Sequence, residues 1–96
     1  MAATQPTRGY TATKPQLINR LARVEGQIRG VSEMVTQDRY CIDVITQITA
    51  AQAALDRIAL GLLDDHAHHC LTRGAARPPA QQVDELMSAV GRLVKR

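Results

Sequence analysis

The chain has 96 residues, a formal net charge of +3, two cysteines, two tyrosines, and neither phenylalanine nor tryptophan. A chain this short makes one domain with a small core, so we expect its helices to bury their apolar stripes against other copies of the chain. No apolar run is long enough for a membrane span or a secretion signal. We therefore expect a cytoplasmic protein, whose reducing surroundings keep both thiols out of a structural disulfide.

Residues 1–12 are polar and are predicted to form a mobile tail, which leaves one helical domain over residues 13–96. The stretch "TKPQ" (13–16) predicts a helix start, with Thr13 as the N-cap and Pro15 in the first turn. Steps of four and three residues then predict an amphipathic helix. Its apolar positions are Leu17, Leu21, Val24, Ile28, Val31 and Val35. A turn is expected at "QDR" (37–39), with Asp38 as the N-cap of the next helix.

Basic residues dominate the first 30 positions, with five basic residues against one acidic residue. This asymmetry suits a polyanion, of which nucleic acid is the commonest, although a solvated helix face explains the charges equally well. Gln16 and Gln27 belong to the same polar stripe of the first helix as Arg20 and Arg23. No helix-turn-helix pattern is evident, so recognition would rest on backbone contacts and DNA shape. The predicted DNA-binding residues are Lys14, Arg20, Arg23 and Arg57.

The second predicted helix covers about residues 39–72 and carries a long stripe with alternating steps of four and three. This spacing is typical of the seam between two packed helices. The stripe consists of Cys41, Ile45, Ile48, Gln52, Leu55, Ala59, Leu62 and His66. Alanines in "ITAAQAALD" (48–56) lie beside the seam, so another helix can approach closely. A loop at "RGAARPP" (73–79) and a third helix over about residues 80–95 complete an all-α chain.

The stretch "HAHHC" (66–70) holds all three histidines and one of the two cysteines. His66 and Cys70 are four residues apart, so on a helix they point the same way and can chelate one ion. A thiolate with an imidazole favours Cu(I) or Zn(II). The pair alone is weak evidence, and a lone Cys41 is as readily a small buried hydrophobe. His68 is predicted to be solvated, while His69 stays open as a fourth ligand for tetrahedral zinc.

Cys41 precedes His66 by 25 residues, which is roughly 37 Å along one continuous helix. Within one chain it therefore cannot join His66. Two copies of the helix that pack antiparallel about an axis near residues 54–55 would set residue 41 of one chain opposite about residue 68 of the other. Cys41 then meets His66 and Cys70 of the partner, and symmetry creates two sites per dimer.

The stretches "RLARVEGQIRGVSEMV" (20–35) and "RYCIDVITQITA" (39–50), with the pattern of Cys41, His66 and Cys70, resemble the copper-sensing operon repressor family over about residues 14–72. The resemblance implies a three-helix protomer, an antiparallel four-helix-bundle dimer and a homotetramer of two dimers. It also implies a repressor that binds operator DNA and releases it on binding Cu(I) through those three residues.

Four further residues match family positions. Tyr40 matches a tyrosine beside the first ligand, and Glu85 matches a glutamate on the third helix that hydrogen-bonds the histidine. Arg20 and Arg57 match basic positions used on DNA. These roles are what the resemblance implies for the present chain.

The ligand set separates the signals sensed within that family. The nickel and cobalt sensors add an N-terminal histidine, and no histidine precedes His66 here. The formaldehyde sensors lack the second cysteine, and the persulfide sensors lack the histidine. Copper is therefore favoured, with persulfide sensing as the runner-up. A copper-buffering protein and an inert helical interaction module are the alternatives outside this class. The sequence shows no carboxylate dyad, activated nucleophile or cofactor loop, so an enzyme is not expected.

Overall fold

The computed structural model describes residues 9–73 and 79–95, except for the side chains of residues 70–73 and 79. Within these ranges the chain forms a short 3₁₀-helix (Thr11–Thr13), three α-helices and no strand. The α-helices are α1 (Lys14–Thr36), α2 (Cys41–Arg73) and α3 (Pro79–Val94). The predicted all-α fold is confirmed. No helix in these ranges is both long and apolar enough to cross a membrane.

Asp38 ends α1 and does not cap α2, so its predicted role is wrong. Its φ is 56°, in the left-handed region that short polar side chains tolerate. The amide of Arg39 donates to the carbonyl of Met34 at 2.9 Å, and the amide of Asp38 donates to the carbonyl of Val35 at 3.1 Å. These two bonds define a Schellman motif. The carbonyl of Tyr40 accepts the first hydrogen bond of α2.

Thr13 directly precedes α1, as predicted, but its hydroxyl does not cap that helix. The hydroxyl donates to Oδ2 of Asp65 in α2 at 2.9 Å and lies 3.3 Å from the carbonyl oxygen of Tyr10. Residues 1–8 of the predicted tail lie outside the described residues. Residues 9–12 form a turn and the start of the 3₁₀-helix.

The chain divides into two compact units, and α2 contributes to both. One unit is residues 15–58, and the other comprises the described parts of residues 1–14 and 59–96. In the first unit α1 packs on the first half of α2, and the buried side chains among those described are Val24, Ala51 and Ile58. This core is small, as the composition led us to expect. The single domain over 13–96 stays a prediction.

Large apolar side chains on the predicted seam of α2 remain exposed in the protomer. Ile45 is 55% exposed, Ile48 is 41% exposed and Leu55 is 42% exposed. Burial of apolar surface away from water is favourable by roughly 25 cal/mol per Å². A continuous exposed stripe of this kind is typical of a surface that packs against another chain.

Candidate metal centre and basic cleft

His66 lies in the second half of α2, where it meets α3. Its Nε2 atom is 3.5 Å from Oε1 of Glu85, and the two side chains are 43% and 39% exposed. Both residues line one cleft of about 670 Å³ between α2 and α3. The structure therefore brings together the predicted histidine ligand and its predicted glutamate partner. Residues 74–78 of the predicted loop between them lie outside the described residues.

This geometry suits an imidazole that binds a metal ion. Metal-bound histidines almost always donate their other ring N–H to a carboxylate, carbonyl or water, which fixes the tautomer and the ring orientation. Because Nε2 of His66 lies beside Glu85, Nδ1 would be the nitrogen that binds an ion. The donor chemistry of the histidine therefore fits a soft metal such as Cu(I) or Zn(II).

Leucines and alanines of α2 and α3 form most of the remaining wall of this cleft, together with Tyr10 and Arg92. Sequence reasoning missed both of these polar residues. Hydrophobic periodicity carries no information on where a polar N-terminal segment folds back. Arg92 is also an ordinary cation of a last helical turn, where it complements the helix dipole.

Cys41 is the first residue of α2 and carries an exposed, free thiol. Tyr40 precedes it and is 68% exposed. Cys70 lies in the last turn of the same helix, but its side chain is outside the described residues. In the part of the chain that the structure describes, no three His, Cys, Asp or Glu side chains gather into a group that could hold a metal ion.

The two other histidines differ in exposure. His68 is exposed, which confirms its predicted place on the surface. Its Nδ1 atom lies 2.9 Å from the carbonyl oxygen of Asp64 and 3.5 Å from Oδ1 of the same residue. His69 is half-buried.

Three of the four basic residues predicted for DNA converge in the unit formed by residues 15–58. Four polar side chains from α1 and α2 line one cleft of about 600 Å³, which we call the basic cleft: Arg20, Arg23, Gln27 and Arg57. Three guanidinium groups in one cleft suit a phosphate, which they can bind through paired N–H donors. Lys14 begins α1 and belongs to the other unit.

Comparison with known proteins identifies the family. Residues 13–92, which include nearly all of the three helices, match the family described as metal-sensitive transcriptional repressor. The chain belongs to this family. The family is defined by the repression of transcription and not by catalysis.

The relatives respond to more than one metal. The copper-sensing transcriptional repressor RicR of Mycobacterium tuberculosis (strain ATCC 25618 / H37Rv) is 49% identical over 90 residues, which cover 91% of this chain and 94% of the relative. The copper-sensing repressor CsoR with Cu(I) from Geobacillus thermodenitrificans NG80-2 superposes with a TM-score of 0.76 and 36% identity, over 98% of this chain and 97% of its own. The nickel-responsive transcriptional regulator InrS matches with a TM-score of 0.72 and 40% identity, over 98% and 100%. The ligands of this chain therefore decide which metal it binds.

Proposed function

We propose that this protein is a Cu(I)-responsive transcriptional repressor, which binds operator DNA when metal-free and releases it when Cu(I) binds. The genes expressed on release are copper-resistance genes. One observation carries the proposal: His66 of α2 pairs with Glu85 of α3. The helix α2 also begins with Cys41 and has Cys70 in its last turn. Two thiols and one imidazole form a donor set that suits Cu(I). The names of RicR and CsoR support the same metal.

Two alternatives within the family fit this chain less well. InrS responds to nickel by its name, but no histidine precedes His66 here, whereas the family resemblance gives the nickel sensors one near the N-terminus. Persulfide sensing would use Cys41 and Cys70 alone and would leave the pair of His66 and Glu85 without a role. A trigonal Cu(I) site uses all three donors and needs no fourth ligand from His69.

We place the copper site across two chains. α2 is a single helix in which 25 residues separate Cys41 from His66, so these ligands cannot meet within one chain. The exposed stripe of Ile45, Ile48 and Leu55 offers an antiparallel copy of α2 a surface for packing. Cys41, with Tyr40 beside it, then reaches His66 and Cys70 of the partner. Two such homodimers form the homotetramer.

Operator DNA is proposed to bind at the basic cleft. Arg20, Arg23 and Arg57 would contact phosphates and fix the register of the protein on the duplex, and Lys14 adds a positive charge at the start of α1. DNA shape would supply much of the specificity. A repressor acts where its operator is, so we place the protein in the cytoplasm.

The two sites are coupled if the copper-bound assembly fits DNA less well than the metal-free one. α2 carries residues of both sites, since Arg57 belongs to the same helix as Cys41 and His66. Copper binding across the seam would hold the ends of two α2 helices in one relative position. The basic clefts on those helices would move with them.

A gel shift with the DNA upstream of the gene that encodes this protein, under reducing conditions, tests the proposal. We expect a retarded complex without metal and its loss as Cu(I) is added up to one equivalent per subunit. Nickel and a polysulfide serve as parallel additions. DNA release by polysulfide or by Ni(II), but not by Cu(I), would show that the protein senses persulfide or nickel and not copper. A protein that binds Cu(I) but no DNA would be a copper buffer.

A further inference from the structure

We propose that residues 9–13, which we call the strap, connect the turn of α2 that carries His66 to the start of the basic helix α1. Gly9, Thr13 and Asp65 make the connecting contacts. The inference rests on the proposed function and assigns a route by which copper binding reaches the DNA-binding helix. All of its contacts lie within one compact unit.

Gly9 lies directly against the backbone of α2. A Cβ atom built on Gly9 would lie 2.8 Å from the carbonyl oxygen of Asp65 and 2.8 Å from Cα of His66. Real Cβ atoms do not approach a backbone this closely, so only glycine fits here unless the strap or the helix moves. The strap therefore touches α2 at the residue that is proposed to bind copper.

Thr13 fixes the other end of the strap. Its hydroxyl donates to Oδ2 of Asp65 at 2.9 Å, and Asp65 immediately precedes His66. Between these ends, Tyr10 lines the same cleft as His66 and Glu85. Gly9 and Thr13 thus contact the turn of α2 that carries His66, and Tyr10 lines the cleft beside that turn.

The strap continues without a break into α1, because Thr13 is followed by Lys14, the first residue of that helix. A shift of Asp65 and His66 on metal binding would therefore pull on the helix that carries Arg20 and Arg23. α2 carries Arg57 and packs against α1 at the basic cleft, which is one connection to the arginines of α1. The strap supplies a second connection through two contacts and a continuous backbone.

Removal of the hydrogen bond between Thr13 and Asp65 tests the strap. Thr13→Val and Asp65→Ala abolish it, whereas Thr13→Ser and Asp65→Asn keep a donor and an acceptor. Thr36→Val is a matched control, because the hydroxyl of Thr36 donates to the carbonyl of Ser32 in its own helix. We expect the two disruptive variants to keep Cu(I) affinity and metal-free DNA affinity within about twofold of wild type. The copper-driven loss of DNA affinity should shrink about fivefold.

The double variant Thr13→Val with Asp65→Ala should lose no more coupling than either single variant, because both changes remove the same bond. Thr13→Ser should restore release. Wild-type release in Thr13→Val and Asp65→Ala would overturn the strap while leaving the proposed function intact. A wild-type protein that keeps its DNA in the presence of Cu(I) would overturn the proposed function, and the role of the strap with it.

Gly9→Ala tests the strap from its other end. The new methyl group meets the backbone of Asp65 and His66, so the contact between the strap and α2 must change. Gly91→Ala is the matched control within the same unit, because nothing lies within 4 Å of a Cβ atom at Gly91. Circular dichroism establishes that both variants are helical. We expect copper-driven release to weaken in Gly9→Ala alone, and equal release in the two variants would contradict the strap.

Discussion

Nε2 of His66 lies 3.5 Å from Oε1 of Glu85, and this pair ties the ligand-bearing end of α2 to α3. Through Glu85 the third helix would thereby be part of the proposed metal site and not only a cover for apolar surface. A carboxylate at this distance can hold the imidazole in one tautomer and one orientation. In the proposed metal site the pair would orient the imidazole so that Nδ1 binds the ion.

Glu85→Gln should weaken Cu(I) binding about tenfold or more, because such supporting carboxylates typically contribute that much to metal affinity. Metal-free DNA binding should stay at the wild-type level. Asp84→Asn removes a neighbouring, exposed carboxylate and is the control. The measurement is competition with a Cu(I) chelator. Equal Cu(I) affinity in Glu85→Gln, Asp84→Asn and wild type would exclude α3 from the site.

His66→Ala should lose copper-driven DNA release more severely than it loses Cu(I) affinity. Two thiolates can still hold Cu(I), whereas the link from the metal through the imidazole to Glu85 is gone. His68→Ala is the control, since His68 is exposed and pairs with Asp64. Fluorescence anisotropy with labelled operator, at increasing Cu(I), measures the release. If His66→Ala released DNA as wild type does, His66 would have no part in the mechanism.

Arg20→Ala and Arg57→Ala should each weaken operator binding and flatten its salt dependence. The slope of log K against log salt should become shallower by about 0.9 for each phosphate that the variant no longer neutralises. Cu(I) affinity should be unchanged. Arg29→Ala is the control, because Arg29 is exposed on α1 and does not line the basic cleft. Unaltered operator affinity in both cleft variants would show that DNA binds elsewhere.

Sequence periodicity was enough to predict the helices and the apolar stripe along α2. A stripe with steps of four and three can be extrapolated along a helix, so Ile45, Ile48 and Leu55 could be assigned to one face without coordinates. The structure then finds these side chains exposed in the protomer. The polar stripe of α1 predicts Arg20 and Arg23 of the basic cleft, whereas Arg57 follows from the family resemblance.

Contacts that depend on turns could not be predicted in this way. Asp38 is common both at N-caps and in left-handed turns, and only the backbone hydrogen bonds of the Schellman motif decide between the two. Thr13 fits the N-cap pattern, but its hydroxyl bonds to Asp65, 52 residues away. Long-range contacts of this kind leave no periodic trace in the sequence.

Ile45→Asp should dissociate the homodimer. A buried isoleucine contributes about 1.5–3 kcal/mol, and each dimer has two copies, so the dissociation constant should rise at least about a hundredfold. Ala50→Asp is the control, because Ala50 is exposed and lies away from the seam by the helical period. Analytical ultracentrifugation gives the assembly state. A wild-type assembly in Ile45→Asp would mean that copies of α2 do not meet along this stripe.

Complementation tests whether one copper site contains residues of two chains. Cys41→Ser alone and Cys70→Ser alone should each abolish strong Cu(I) binding, because every site in either homodimer then lacks one thiolate. In a heterodimer of the two variants, one site combines both mutated positions and cannot bind. The other combines an intact Cys41 with an intact Cys70 beside His66, so it is complete.

Co-refolding of the two inactive variants should therefore restore tight binding at one copper per heterodimer. Distinct affinity tags allow the heterodimer to be isolated, and Cu(I) titration against a competing chelator measures its sites. The two homodimers, refolded separately in the same way, are the controls. A site built within one chain allows no such rescue, because each chain still lacks a ligand. Isolated heterodimers that gain no tight copper would refute the antiparallel seam and confine "HAHHC" to one end of one helix.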